Sequence, residues 1–441
     1  MRMHYRRSLG AGLVLTFSAV VSAGAAYAEP PRPTGAEVGE SVEDVIHSGW
    51  NVLNGRYLQS SVSDMFTFEW QYFMVHDAAD QFRGSIGFVL VDPKARLGST
   101  SSSASRLPFD MLPSGPSVAV GGFWGDGSSF SNYERLGSSQ QIGVQDKTFA
   151  AAADGGRGYF AELKEVETVT PTSGVFSLKG KTADAEWDLE VSPDWTHNNT
   201  NAYGTPFGPV VGTDVGTVPG ERWTVHMQWP RTKVQGTMKN LRTGVTHTIS
   251  GHGYRENAWG RFNFAFDGWA FAILSDAQSG VQWAWQTYHR SKDMDWLDVS
   301  FEDDGKSVQR RFFAKDDTLR WKLGSWSFHR EARKCIPNAV EVVAQDAEYR
   351  IRAKYDLSES QTPMLSSATA LTKIFVIMVH TPKIQGTIER VATGEVVASF
   401  EGRGGGEFST TRSILPNNSA ENCEQWGQRF AREYAPTPFS P

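Results

Sequence analysis

The chain carries one passage twice. Lys233-Val-Gln-Gly-Thr-Met-Lys-Asn-Leu-Arg-Thr-Gly244 returns 150 residues later as Lys383-Ile-Gln-Gly-Thr-Ile-Glu-Arg-Val-Ala-Thr-Gly394, with Lys, Gln, Gly, Thr, Thr and Gly in register. Apolar positions are mostly kept where the letters change, so the two passages predict one structural unit used twice. A second pair agrees with the first. Trp70-Gln-Tyr-Phe-Met-Val-His-Asp77 and Trp269-Ala-Phe-Ala-Ile-Leu-Ser-Asp276 both run from Trp to Asp through an apolar stretch, and each precedes its own Lys-x-Gln-Gly-Thr hairpin. A repeat of this length is domain-sized and not a solenoid module. The units are expected at 48–260 and 261–412, after a leader at 29–47 and before a tail at 413–441 with a short helix.

The two copies diverge immediately after the repeated passage. Gly251-His-Gly-Tyr-Arg-Glu-Asn-Ala-Trp-Gly260 is rich in groups that can do chemistry, whereas Gly402-Arg-Gly-Gly-Gly-Glu-Phe408 lacks the His, Tyr, Asn and Trp. This contrast gives the site to the first unit and leaves the second mainly as scaffold.

Short runs of β-branched and aromatic residues, punctuated by Gly, Asp, Asn and Pro, predict an all-β chain. They fall at Phe66–Val75, Gly84–Val91, Val118–Phe123, Gly174–Lys179, Trp187–Val191 and Trp223–Trp229 in the first unit. In the second they fall at Val281–Tyr288, Trp296–Phe301, Val340–Val343, Tyr349–Tyr355 and Ile374–His380. Many strands with few helical stretches favour sandwiches or barrels. Two helices are expected, one near Val42–Leu53 and one at Glu421–Tyr434, where Trp426, Phe430 and Tyr434 share a face. Leu97–Ser105 and Thr196–Gly220 read as long loops. The 15 Trp, 26 Phe and 12 Tyr fit either large cores or an aromatic-lined cavity.

Residues 1–28 have the pattern of an export signal: Arg2, Arg6 and Arg7, an apolar run from Leu9 to Val21 too short to span a bilayer, then Ala26-Tyr27-Ala28 as a cleavage site. Cleavage near Ala28 removes three arginines and no acid, taking the formal net charge from −6 to −9. An acidic exported protein is a poor partner for nucleic acid, and no other apolar run is long enough for stable membrane insertion. Periplasmic or secreted localisation follows as an expectation. Cys335 and Cys423 are the only cysteines, and outside the cytoplasm they are expected to pair, the alternative being two buried thiols. Asn198 and Asn417 fit the glycosylation acceptor pattern for a eukaryotic source.

Common cofactor and catalytic signatures are missing from the sequence. There is no Gly-x-Ser-x-Gly, His-Glu-x-x-His or Cys-x-x-Cys, and Gly180-Lys-Thr182 and Gly305-Lys-Ser307 lack the first Gly of a phosphate loop. Glu302-Asp-Asp-Gly305 reads as an acidic hairpin turn. No cofactor and no metal are expected.

Glu69-Trp-Gln-Tyr72, Val234-Gln-Gly-Thr237 and Gly251-x-Gly-Tyr-Arg-Glu-Asn-Ala-Trp-Gly260, taken with the duplication, resemble the hydroxyneurosporene synthase superfamily. That group includes carotenoid hydratases, kievitone hydratase and fungal pericyclases of the Diels–Alderase type. The resemblance covers about residues 48–412 and implies two tandem lipocalin-like β-barrel domains. The family's Tyr-x-Asp-His-Asn-Trp-Gly stands here as Tyr254-Arg255-Glu256-Asn257-Ala258-Trp259-Gly260. The acid is kept in a longer side chain, and Asn257 replaces the His.

Alternation along an extended segment puts His252, Tyr254 and Glu256 on one face and Arg255, Asn257 and Trp259 on the other. Tyr254 and Glu256 are expected to point into a barrel lined by Trp70, Tyr72 and the Trp283/Trp285 region. Burial there disfavours the charged carboxylate, so Glu256 would act as a proton donor near neutral pH. Protonation of an alkene, with aromatic faces stabilising the cation, is the chemistry of a hydratase or cyclase. Glu69 is the second candidate acid; His252, Asn257, Trp259 and His289 are further candidates for ligand contact. The other reading of Glu256 is an ion pair with Arg255, Arg222 or Arg261 that fixes the link between units. The expected function is cofactor-independent hydration or cyclisation of a lipophilic isoprenoid- or polyketide-like compound. A lipocalin-like binder of a hydrophobic ligand and a pericyclase remain the alternatives.

Overall fold

In the computed structural model of the protein, the residues described are 67–91, 115–136, 139–142, 149–153, 157–170, 173–194, 211–214, 222–261, 268–276, 278–289, 291–330, 332, 334–358, 361–363, 376–410 and 422–434. The export signal, the leader, the helix expected at Val42–Leu53, the loop at Leu97–Ser105 and both glycosylation acceptors lie outside them.

The first strands are β1 (Thr67–Asp77), β2 (Phe82–Val91), β3 (Gly115–Trp124), β4 (Ser129–Arg135), β5 (Ser139–Ile142) and β6 (Phe149–Ala152). They are followed by β7 (Phe160–Thr170), β8 (Ser173–Lys181), β9 (Ala185–Pro193), β10 (Val211–Asp214), β11 (Arg222–Asn240) and β12 (Thr246–Arg261). All twelve form one antiparallel sheet in the order β4-β3-β2-β1-β12-β11-β9-β8-β7-β6-β5, with β10 on β11. β10 falls inside Thr196–Gly220, so that segment is not the single loop the sequence predicts. Ring centroids of Phe73 in β1 and Phe176 in β8 are 5.9 Å apart, and those of Phe88 in β2 and Phe149 in β6 are 5.5 Å apart. Strands distant along the sheet share one interior, so the sheet curls on itself. Its inner face is filled by side chains, each fully buried Phe, Leu or Val contributing about 1.5–3 kcal/mol.

The second series is β13 (Trp269–Ser275), β14 (Gln282–Tyr288), β15 (Ser291–Asp303), β16 (Lys306–Phe313), β17 (Leu319–Gly324), β18 (Ser327–His329) and β19 (Lys334–Ile336). It continues with β20 (Ala339–Gln345), β21 (Tyr349–Asp356), β22 (Gln361–Pro363), β23 (Val376–His380), β24 (Lys383–Arg390), β25 (Val396–Arg403), β26 (Gly405–Thr410) and helix α1 (Cys423–Tyr434). A seven-stranded sheet, β16-β15-β14-β13-β26-β23-β22, faces a five-stranded sheet, β17-β20-β21-β24-β25. Trp283 meets Tyr355 and Phe400 between them, and Trp285 meets Trp321. Cys335 in β19 is bonded to Cys423 at the start of α1, with the two Cα atoms 5.3 Å apart. The helix then packs Phe430 on Trp326 and Phe408.

The repeated passages form the same hairpin. Asn240 and Arg390 accept from Gly244 and Gly394 at 2.8 Å, and Thr243 and Thr393 accept through Oγ1 from the amides of Val245 and Glu395. Gly244 and Gly394 have φ of 77° and 70°, which a side chain would strain. At the β15–β16 turn Asp304 and Gly305 have positive φ, as a two-residue hairpin requires. The acids of that turn are engaged by Arg390 of the repeat.

Strands with one wet face alternate as their sequences do. Ala185-Glu-Trp-Asp-Leu-Glu-Val-Ser-Pro193 buries Trp187, Leu189 and Val191 and turns the acids out. Strand β13 is buried on both faces from Trp269 to Leu274, and so are Gln71 to Asp77 of β1. One face of each meets its own core, which leaves the other faces to meet each other.

Candidate functional site

Phe73 and Val75 of β1 enter the first core, so Trp70, Tyr72, Met74 and His76 project from its opposite face. On β13, Ala270, Ala272 and Leu274 enter the second core, and Trp269, Phe271 and Ile273 project outward. These outward faces meet. Trp70 and Trp269 have ring centroids 6.1 Å apart, and Tyr72 and Phe271 stand edge to face at 6.2 Å. At this level the junction between the two β units sets β1 and β12 against β13, β25 and β26, while β11 and β2–β4 meet other strands of the second series alongside.

Strand register stacks this junction in layers. Tyr72 is opposite Glu256, Met74 opposite Tyr254 and His76 opposite His252, while Phe271 is opposite Glu407 and Ile273 opposite Gly405. The central layer thus holds two carboxylates, Glu256 and Glu407, on related strands. Each accepts a hydrogen bond from the indole of its own unit: Trp70 Nε1 donates to Glu256 Oε1 at 2.7 Å, and Trp269 Nε1 donates to Glu407 Oε2 at 3.1 Å. Counting Gly251 against Gly402 puts Glu407 in the place of Glu256, and the two Trp already match. The same Trp–Glu couple occurs twice and faces itself.

The surroundings of the two acids differ. Tyr254 Oη donates to Glu256 Oε2 at 2.5 Å, and Gly405 stands at the equivalent position in the second unit. Burial raises the Glu256 carboxyl above the usual carboxylate range, opposed by the hydrogen bonds from Tyr254 and Trp70. Burial, then the charge of Glu256, push Glu407 up to about 7, with Tyr72 and Trp269 opposing. The Tyr72 hydroxyl is buried beside Ser85 and Glu407 without full hydrogen-bond geometry to either. Two like charges repel strongly in a buried site, and the acid that accepts the better hydrogen bonds carries the charge more readily. Glu256 accepts two well-formed hydrogen bonds and Glu407 one, which favours the charge on Glu256 and the shared proton on Glu407. Tyr72, Glu256 and Glu407 are all buried, each 5% exposed.

Several expectations are corrected by this geometry. Trp283 and Trp285 do not join Tyr254 and Glu256. They lie on the inner face of β14, within the second core. Both β interiors are packed, and the aromatic site lies between them. His289 lies between Phe408 and Phe430 beneath α1, with centroids 5.5 and 4.7 Å away. Glu256 bonds to Trp70 and Tyr254, not to Arg255. The Arg255 side chain lies on the opposite face, where Nη2 donates to Gln71 Oε1 at 2.8 Å and the guanidinium covers Phe176 at 4.1 Å. Glu69, Asn257 and Trp259 occupy strand positions beside the site, with Glu69 opposite Trp259 and Gln71 opposite Asn257. Their side chains lie outside the described set. The sequence assigns Glu407 to scaffold, yet it completes the acid pair. Among the described residues no cluster of three metal-ligating side chains occurs, and no helix is long and apolar enough to cross a membrane.

No family model matches the chain, and no curated protein matches its sequence. Solved structures do match it. A protein of Nitrosomonas europaea described as an AttH (NE1406) is 14% identical and superposes with a TM-score of 0.51, covering 79% of this chain and 93% of that one. CghA with Sch210972 is 10% identical, with a TM-score of 0.46 over 78% of this chain and 88% of its own. Kievitone hydratase from Nectria haematococca is 8% identical, with a TM-score of 0.47 over 87% of this chain and 99% of its own. The likeness to NE1406 is one of fold. It spans most of both chains, in keeping with the all-β architecture described above.

Proposed function

We propose that the protein is a cofactor-independent hydratase or cyclase that protonates an alkene of a lipophilic isoprenoid- or polyketide-like substrate, with Glu407 as proton donor and Glu256 as its charged partner. The observation that carries this reading is the buried pair itself: one carboxyl pushed up to about 7 and one accepting two hydrogen bonds, among four aromatic rings. Glu407 gives its proton to one alkene carbon. The cation left on the other carbon faces the Glu256 carboxylate and the π-faces of the ring cluster. Water then forms the new C–O bond, and its surplus proton returns to the acid pair, so the net change is addition of one water. In a cyclisation a second alkene replaces water as nucleophile, and a C–H proton returns instead.

Turnover in D2O tests this directly. A deuteron at a non-exchangeable product carbon is expected. Product without carbon-bound deuterium would instead indicate a pericyclase, and ligand recovered unchanged would indicate a binding protein. The proposal also places the protein outside the cytoplasm, supported by the pattern of residues 1–28 and by the Cys335–Cys423 bond. A natural N-terminus at Glu29 would check it.

A further inference from the structure

The layer that holds Glu407 and Phe271 continues across the second sheet onto β14 and β15. Phe271 is opposite Gln286, and Gln286 is opposite Trp296. Trp283 and Trp285 of β14 and Leu297 and Val299 of β15 enter the second core. Gln282, Gln286, Trp296 and Ser300 therefore lie on the other face, the one that Phe271 shares. Strand β11 of the first unit lies against β13 and β14, and β10 lies against β15, so this strip is an extension of the junction. Gln282 and Ser300 are fully buried, and Trp296 and Gln286 are 1% and 4% exposed.

Unmatched polarity sets the strip apart from the packed cores. Among the described residues, the acceptor Gln286 Oε1 and the donor Trp296 Nε1 have no hydrogen-bond partner, although they belong to strand neighbours. The next pair along, Gln282 opposite Ser300, repeats this: Gln282 Oε1, Gln282 Nε2 and Ser300 Oγ are all unmatched. Buried polar groups are matched as a rule, and where the protein supplies no partner, bound water does. Between the two pairs, Asp298 accepts from Arg311 at 2.8 and 2.9 Å, and the Arg311 side chain is 37% exposed. The strip thus has a solvated charge at its outer edge and Phe271 at its inner one.

We propose that this strip is the water lane of the site, and that Gln286 with Trp296 presents the water that adds to the cation. The inference rests on the alkene protonation proposed above and narrows it to hydration. Spacing suits the role. An acid and a water acting on opposite sides of one bond need several ångströms between the groups that hold them, about 6.5–9.5 Å in inverting glycosidases. Glu407 and Gln286 are two strands apart, about 10 Å at their Cα atoms, with Phe271 between them as the floor for the alkene. Gln286 Oε1 accepts one water hydrogen, and Trp296 Nε1 donates to one lone pair. The other lone pair forms the C–O bond to the cation left by proton transfer from Glu407. The proton shed by the oxonium passes to the Glu256 carboxylate and from the pair back to Glu407, so one water is added and nothing else is consumed.

The test has two arms. In a crystal structure of the ligand-free protein, an ordered water is expected about 3 Å from both Gln286 Oε1 and Trp296 Nε1. A direct bond between those two atoms, or a strip without water, overturns the lane and leaves the acid pair untouched. In D2O with geranylgeraniol as the probe alkene, the wild type is expected to give the water adduct with deuterium on carbon. Gln286→Leu and Trp296→Phe are expected to keep deuterium exchange into recovered or isomerised alkene while the adduct falls by about tenfold or more. An adduct in unchanged proportion to exchange, or a deuterated ring product in place of the adduct from the wild type, overturns the water's role and leaves protonation standing. Wild-type protein that puts no deuterium on carbon removes the alkene reading and the lane's function with it.

Discussion

The two halves of the molecule present the same Trp–Glu couple across one junction, and they differ in what stands beside it. In the first half Tyr254 donates to the acid; in the second, Gly405 occupies that position, and a side chain there would meet Met74 at 2.3 Å. One lost hydroxyl is enough to separate two otherwise matching carboxylates. The better-bonded acid is favoured for the charge, and the poorer one for the proton. On the proposed chemistry, one couple used twice supplies the pair, and its surroundings divide the roles without a new residue type at the acids themselves.

The sharpest way to break this comparison is to exchange the acids one at a time. Glu407→Gln should lower turnover by about 10²–10⁴ with ligand affinity little changed. Glu256→Gln should do something different: the neighbouring charge that raises Glu407 is gone, so the basic limb of the pH–rate profile should move to lower pH. Identical profiles for the two variants would mean that the halves do not hold distinct roles.

A second difference is the clasp, since Cys335–Cys423 secures only the second half. The cysteines are 88 residues apart, and closing such a loop contributes about 4–5 kcal/mol in the chain-entropy account. Reduction should lower stability by up to that amount, read as a shift in the urea midpoint. No shift on reduction would show the clasp to be energetically silent.

The third prediction uses the acids as stability probes. In the fold, the Glu407 carboxyl is raised from 4.5 to about 7, so the unfolded chain gives up that proton first. Its stabilisation is complete below pH 4.5 and is lost as pH rises to about 7, a change of about 3 kcal/mol. Unfolding at pH 5 and pH 8 should show the loss in the wild type and a flatter response in Glu407→Gln. Parallel responses would remove the claim that Glu407 is buried with its proton.

The smallest effect tests whether the halves are alike where they should be. Gly244→Ala and Gly394→Ala place a side chain at positive φ with open space around it. Each should cost roughly 1 kcal/mol, and by equal amounts. Unequal costs in thermal melts would separate two turns that look identical.

Much of the fold is legible because repetition and alternation are local signals. The Lys233 and Lys383 passages fold alike, and Trp70 and Trp269 take matching places. Strands such as β7, with the polar stretch Glu162-Leu-Lys-Glu-Val-Glu167, escape notice because alternating charges there look like loop. The site is harder to read. Glu407 is in view, but the loss of His, Tyr, Asn and Trp around it looks like loss of function, and only its counterpart position on β26 brings it to Glu256. Trp283 and Trp285 mislead for another reason. When a sheet is buried on both faces, alternation separates the faces but does not say which one meets the core and which the partner unit.

The acid pair has one carboxyl on β12 and the other on β26, and each strand pairs with a strand from the start of its own half, Tyr72 opposite Glu256 and Phe271 opposite Glu407. On the proposed chemistry, reactivity is therefore a property of assembly. A nascent or cleaved chain holding one finished half has a single acid, no opposing charge to raise it and no second indole across the gap. Pairings that span so much sequence form slowly, so the reactive centre is completed late, after both β units have closed and met. A chain cut between Arg261 and Gly268 would give two inert fragments, and recovery of turnover on mixing them would count docked molecules one by one.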